Sequence, residues 1–218
     1  MNKLFAIFDM DGTLVDSMVY WQRLGREYLT AQGVTEGMDE VLERIKAMTM
    51  AESSALFIET FGLPGTPETV EAEMNAVMDE HYRSDIPLKP GAADYLAALK
   101  ARGTKMCVAT ATPEPLARAC LKRLGVLEDF AFLLSCDEVA AGKDRPDVFF
   151  EAARRLGSAP AETAAFEDAL FAARTAKDAG FYTVGVYDAS GDGHWNELTA
   201  LADETVRDWS AAAERMKI

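Results

Sequence analysis

The sequence predicts an α/β fold, a doubly wound parallel sheet interrupted by an inserted four-helix domain. Three observations lead there. Short apolar runs alternate with helical stretches, a glycine follows each of those stretches, and the segment 17–83 has no strand-like run at all. Leu4 to Phe8 is apolar and ends in acids, the pattern of a buried parallel strand. Met106–Thr110, Ala131–Ser135, Thr163–Phe166 and Phe181–Val186 repeat it. Helical spacing fills Ala92–Ala101, Pro115–Leu124, Pro146–Leu156 and Ala169–Ala179, closed by Gly103, Gly125, Gly157 and Gly180. Strands separated by helices of this length imply βαβ units, whose right-handed crossovers carry every strand's C-terminal end to one ligand-binding edge.

Within 17–83 the apolar spacing stays helical. Trp21, Leu24 and Tyr28 share the face of a first helix, and Val41, Leu42 and Ile45 mark a second. Thr49 and Glu52 form a capping box opening a third helix that runs to Phe61. Thr66-Pro67 starts a fourth, with Val70, Met74, Val77, Met78 and His81 on its apolar stripe. The expected division is therefore 1–16 with 84–218 as the core and 17–83 as the insertion, with Asp16-Ser17 as a hinge and the proline-bearing stretch 85–91 as the return.

The chain has 218 residues, 36 acidic and 22 basic, for a net charge of −14. The insertion holds 12 acids and 5 bases, a net of −7, and the remainder holds the other −7. No basic face exists to attract nucleic acid or an anionic membrane, so neither is an expected partner. No apolar run approaches the roughly 18 residues of a membrane span. Cys107, Cys120 and Cys136 are odd in number and set among apolar neighbours, as reduced core thiols would be. A cytoplasmic protein is expected, as a monomer or weak dimer.

Chemistry concentrates at Asp9-Met10-Asp11-Gly12-Thr13, at the end of the first strand. At average residue usage D-x-D-G-T arises by chance at roughly one start in 100,000. In extended geometry residues two apart point the same way, so the two acids can share a pocket. One carboxylate can act as nucleophile while the other gives and takes protons.

This motif resembles the first signature of the haloacid dehalogenase superfamily, in its β-phosphoglucomutase and phosphoglycolate phosphatase-like subgroup, and three further signatures follow in order. Thr110 resembles the second, a hydroxyl for a phosphoryl oxygen. Lys143, in Gly142-Lys143-Asp144-Arg145-Pro146-Asp147, resembles the third, and Glu167-Asp168 resembles the fourth, acids that anchor magnesium. The resemblance spans the chain and implies a Rossmann-like core with a helical cap at 17–83. It implies a Mg²⁺-dependent phosphatase that hydrolyses a small phosphate ester through an aspartyl-phosphate. Asp9 would be the nucleophile and Asp11 the general acid and base. Thr110 and Lys143 would hold the phosphoryl group together with Gly12 and Ala111, and Asp9, the Asp11 carbonyl, Asp168 and Glu167 would serve the metal. Lys46 to Ser53 would line the substrate pocket.

Departures from the pattern narrow this. Dehalogenases lack the second acid, whereas Asp11 is present. Mutases resembling β-phosphoglucomutase carry a cap histidine and a cap arginine, where Trp21 and Met50 stand here. Met50 also speaks against a phosphonate-cleaving relative, which needs a lysine. Ala169 and Ala172 replace a serine and a glycine of the fourth signature, and Asp144 replaces the usual proline after the lysine. A sugar phosphomutase is the enzymatic alternative, and a phospho-accepting or binding protein the non-catalytic one. His81 is expected to be structural and His194 to lie in a surface loop, and the Gly191-Asp192-Gly193 stretch lacks the third glycine of a dinucleotide motif.

Overall fold

The computed structural model describes residues 3–45 and 48–216. Lys46 and Ala47, expected at the substrate pocket, lie outside the described residues, as do Met1 and Asn2 of the opening segment. The chain divides into two compact units, residues 1–18 with 86–218, and residues 19–85.

The first unit is a six-stranded parallel sheet. Its strands are β1 (Phe5–Phe8), β2 (Lys105–Thr110), β3 (Leu133–Ser135), β4 (Thr163–Glu167), β5 (Tyr182–Val186) and β6 (Glu204–Val206), in the order β3-β2-β1-β4-β5-β6. The helices of the whole chain are α1 (Met18–Ala31), α2 (Met38–Ile45), α3 (Met50–Phe61), α4 (Pro67–Ser84), α5 (Ala92–Ala101), α6 (Glu114–Arg123), α7 (Cys136–Val139), α8 (Asp147–Leu156), α9 (Leu170–Asp178), α10 (Trp195–Leu201) and α11 (Trp209–Met216). β1 lies centrally, with Phe5 to Phe8 registered against Lys105 to Val108 on one side and Thr163 to Phe166 on the other.

Alternation along the strands sends side chains to two cores. Ile7, Cys107, Ala109, Leu134 and Ala165 pack with Val148, Phe149 and Ala152 of α8 and Ala172 and Ala176 of α9. Phe8 and Phe166, on the opposite face, stack at 4.2 Å between ring centroids, and Tyr95 of α5 and Trp209 of α11 lie at 6.0 and 5.8 Å from Phe166. This aromatic layer sits directly beneath the C-terminal ends of β1 and β4. All three cysteines are buried and unpaired.

The expected strands are all present, with two adjustments. The run at Ala131–Ser135 narrows to Leu133–Ser135, and Cys136 to Val139, for which no element was expected, form one helical turn capped by Ser135. Beyond Val186 no element was expected, yet β6 completes the sheet's edge beside β5, while α10 packs on α9 and α11 on α5. β6 has three residues and buries only Val206, so it has no alternating run to read.

The second unit is the helical one, α1 to α4. Leu24, Tyr28 and Leu29, with Val41, Leu56, Phe57, Val70, Met74, Met78 and Tyr82, form its buried interior. Both expected caps are present: Thr49 and Glu52 form a reciprocal box on α3, and Thr66 with Thr69 caps α4 behind Pro67. Trp21 Nε1 donates to Tyr82 Oη at 3.2 Å. His81 flanks the α4 stripe rather than filling it, with Nδ1 2.9 Å from Asp85 and Nε2 3.0 Å from Glu27.

Candidate active site

The site is built where the central strands end. Asp9 follows β1, and its amide donates to Phe166 O at 3.0 Å, so pairing with β4 continues to the acid itself. Glu167 ends β4 and Asp168 follows it. One carboxylate oxygen from each of Asp9, Glu167 and Asp168 lies within 4.8 Å of the other two. Acids 159 residues apart in sequence, 168 − 9, therefore share one pocket.

Lys143 enters this pocket from the loop between α7 and α8. It is buried, 7% exposed, where a surface lysine would be solvated. Its Nζ donates to Glu167 Oε1 at 2.7 Å and makes a short ion pair with Asp9 Oδ1. Asp144, beside it, is exposed, so the charge that replaces the usual proline is solvated and does not join the cluster. Asp9 Oδ2 is fully buried and has no hydrogen-bond partner among the described residues. A buried carboxylate oxygen left without a partner is costly, and it marks where a missing ligand atom belongs.

The electrostatics agree. Three carboxylates and one ammonium sum to 1 − 3 = −2 when all are ionised. Burial raises Glu167 well above the ordinary carboxylate range; Lys143 opposes this, and the charges of Asp9 and Asp168 reinforce it. Burial likewise pushes Asp168 up to about 7, with Asp9 adding to the effect and the Thr13 hydrogen bond opposing it. Burial disfavours the Lys143 ammonium, but Asp9 and Glu167 outweigh it and hold the group protonated. Such a pocket retains protons or takes up a cation. Its donors are hard carboxylate oxygens, which suit Mg²⁺ or Mn²⁺ better than a metal that prefers imidazole or thiolate. The residues present fit a divalent cation.

The first-strand loop is tightly constrained. Gly12 has φ +79°, in the left-handed region that glycine favours. A Cβ there would lie 2.8 Å from Asp168 Cγ and 3.1 Å from Met18 Cγ. Gly12, expected among the phosphate-binding residues, donates its amide to Val15 O at 3.0 Å and leaves room for Asp168. Thr13 Oγ1 donates to Asp168 Oδ1 at 3.1 Å, and Thr13 O accepts from Trp209 Nε1 at 3.0 Å.

Asp11 stands apart from the three-acid group. Its Oδ1 accepts from Ser17 Oγ and its Oδ2 from Thr112 Oγ1, both at 2.7 Å. Ser17 was read only as part of a hinge and Thr112 was not singled out, yet both orient this carboxylate. Thr110, at the end of β2, is 1% exposed, and its Oγ1 accepts from the Thr112 amide at 3.0 Å. That bond uses an oxygen lone pair and leaves the hydroxyl proton for an acceptor. Ala111, next to it, is exposed at the edge. Ala169 stands at the N-cap of α9 with no side-chain capping bond, and Ala172 is fully buried in the core. His194 is exposed, as expected of a loop position.

Comparison with known proteins agrees with this geometry. Residues 5–180 match the family model described as haloacid dehalogenase-like hydrolase. The chain is 30% identical to β-phosphoglucomutase of Bacillus subtilis, over 83% of this chain and 82% of that one. It is also 30% identical to phosphoglycolate phosphatase of Shigella boydii, over 85% and 83%. Among solved structures, a Thermotoga maritima protein named for β-phosphoglucomutase superposes with TM-score 0.82 at 24% identity, covering 98% of both chains. CbbY of Rhodobacter sphaeroides, solved with xylulose-1,5-bisphosphate, superposes with TM-score 0.70 at 26% identity over 95% of each.

Proposed function

The chain belongs to the haloacid dehalogenase-like hydrolase family, and from that premise we propose that it is a Mg²⁺-dependent phosphatase hydrolysing a small phosphorylated metabolite through an aspartyl-phosphate on Asp9. The observation that carries the reading is the Asp9 carboxylate itself. One oxygen is fixed by Lys143, the other is buried without a partner among the described residues, and the carboxylate clusters with those of Glu167 and Asp168.

A phosphate ester repels an incoming carboxylate, so attack requires that charge be neutralised at the transferring group. Asp9, Asp168 and Glu167 would hold the cation, which supplies that neutralisation and orients the phosphoryl group when bound. Lys143 holds the Asp9 carboxylate pointed at phosphorus, and its positive charge offsets the equatorial oxygens. Thr110 donates its free hydroxyl proton to one of those oxygens. Asp11, held by Ser17 and Thr112, protonates the departing alkoxide and then takes a proton from the water that cleaves the aspartyl-phosphate. The helical unit, residues 19–85, acts as the substrate-selecting cap, with the segment Lys46 to Ser53 as its selecting stretch.

Hydrolysis is favoured over sugar-phosphate isomerisation by two residues of that unit. A mutase must hold a second phosphate and shield the phosphoenzyme from water. Here Trp21 donates to Tyr82 where a histidine is expected, and Met50 offers no charge where an arginine is expected.

The test is Asp9→Asn, assayed with an aryl phosphate and with a panel of phosphorylated sugars and short acids, in Mg²⁺ and in chelator. Phosphate release that requires Mg²⁺ and vanishes in the variant, with an unchanged melting temperature, is expected. Near-wild-type turnover by Asp9→Asn would refute the nucleophile, and hexose-phosphate isomerisation without phosphate release would shift the reading to the mutase.

A further inference from the structure

The N-terminal chain leaves the α/β unit through residues 14–18 and re-enters it at Ile86. Within that unit the two segments run antiparallel: Asp16 N donates to Pro87 O at 2.9 Å, Lys89 N donates to Leu14 O at 2.8 Å, and Val15 bridges to Leu88. The pairing continues into the acid-bearing loop, where Gly12 N donates to Val15 O and Val15 N to Met10 O, both at 3.0 Å. Residues 87–89 therefore brace the loop from Asp9 to Val15.

The brace has its own anchor. The Lys89 side chain is 11% exposed, and its Nζ reaches Asp188 Oδ2 and Tyr187 O, each at 2.8 Å. Asp188, 5% exposed, follows β5, and its other oxygen accepts from Ser190 N at 2.8 Å and from Ser190 Oγ at 2.5 Å. The loop that begins there runs beside the fourth-signature acid: a Cβ placed on Gly191 would lie 3.8 Å from Asp168 O. The pair thus joins the segment that braces Asp9 and Asp11 to the loop lying against Asp168. Burying an ion pair gains little net stability, because desolvation offsets the attraction, so its value lies in what it fixes.

We propose that Lys89 and Asp188 are a positioning pair for the reaction, holding the Asp9 loop and Asp168 at the separation that one divalent cation needs. This rests on the cation reading above. Neither residue is one of the three clustered acids; the Asp188 charge is felt at Asp168, and the positioning role works through the backbone that each residue anchors.

The test uses the full chain with Mn²⁺ as the probe, measuring affinity by calorimetry or paramagnetic resonance beside the melting temperature. The variants are Lys89→Met, Asp188→Asn and the two combined. Each single variant leaves a buried charge unpaired, so its melting temperature falls, and its Mn²⁺ dissociation constant is expected to rise about tenfold or more. The combined variant has no unpaired charge and regains melting temperature, while its Mn²⁺ affinity stays low. Affinity that recovers together with melting temperature would overturn the proposal, because the pair would then be structural only. Opposite shifts would overturn it too: tighter binding in Lys89→Met and looser in Asp188→Asn would mean that local charge acts alone. Wild-type protein that binds no Mn²⁺, or an Asp168→Asn variant that binds it normally, would remove the cation reading itself and the positioning role with it. Tight wild-type binding through Asp168 with unaltered variants would remove the positioning role only.

Discussion

Replacing Gly12 by alanine tests how closely the first and fourth signatures are fitted together. Two costs can be worked out separately. The backbone at φ +79° is left-handed, where an alanine is strained by about 1–2 kcal/mol. In a chain of this size that lowers the melting temperature by roughly 2–8 °C. The second cost falls on Asp168. The new Cβ would crowd Asp168 Oδ2 most closely and stand 2.8 Å from Cγ; ordinary contact starts near 3.4 Å, so Cγ alone must retreat by at least 0.6 Å, from 3.4 − 2.8, and the oxygen by more. That retreat loosens the 3.1 Å bond from Thr13 and draws one acid away from the shared pocket. Misplacing a reacting constellation by about 1 Å costs on the order of a hundredfold in rate. Gly12→Ala is therefore expected to lose roughly ten- to hundredfold in aryl-phosphate turnover, with the Mg²⁺ half-saturation rising, while circular dichroism at 20 °C stays native. Turnover and Mg²⁺ dependence within twofold of wild type would show that Asp168 does not need its observed position.

Two further expectations concern charge. Lys143→Met leaves Asp9 and Glu167 buried without their counter-ion; breaking a buried pair in this way costs about 3–5 kcal/mol, and Mg²⁺ should raise the variant's melting temperature more than it raises the wild type's. Denaturant titration with and without the ion checks this, and an unchanged midpoint contradicts it. For His81, burial lowers the imidazole's proton affinity, but Asp85 and Glu27 outweigh burial and hold the pKa above 6.5. The folded state then binds the proton more tightly than the unfolded one. Its stabilisation is full below about pH 6.5 and disappears as pH rises through the elevated folded value. Comparing denaturation midpoints of wild type and His81→Gln at pH 6 and pH 9 should show a gap at the lower pH that closes at the higher; a constant gap would argue against the linkage.

Much of this architecture is legible in the chain because its signals are local. Apolar runs mark the strands, Thr49 with Glu52 and Thr66 with Pro67 mark helix starts, and the acids and hydroxyl of the site end the strands that the pattern predicts. What escaped reading depends on partners far away in sequence. Thr112 is an ordinary loop threonine until the fold brings its hydroxyl to Asp11, 101 residues earlier. Trp209 looks like any buried aromatic, yet its indole holds Thr13 across 196 residues. Ser17 was read only as part of a hinge for a different reason: it is near Asp11 in sequence, but only the turn at Gly12 aims the two together. β6 escaped because a three-residue strand has no periodicity.

The central place of β1 has a consequence for synthesis. Among the six strands of this sheet β1 is translated first, and both its edges stay open until residues 105–108 and then 163–166 have left the ribosome to pair with it. The helices of residues 19–85 emerge in between as a contiguous stretch, complete before either neighbour exists. At about 5–20 residues per second, Phe5 to Phe8 stay unpaired for several seconds or more. The central strand's second edge is thus closed late, and Asp9 meets Asp168 only when β4 has been made.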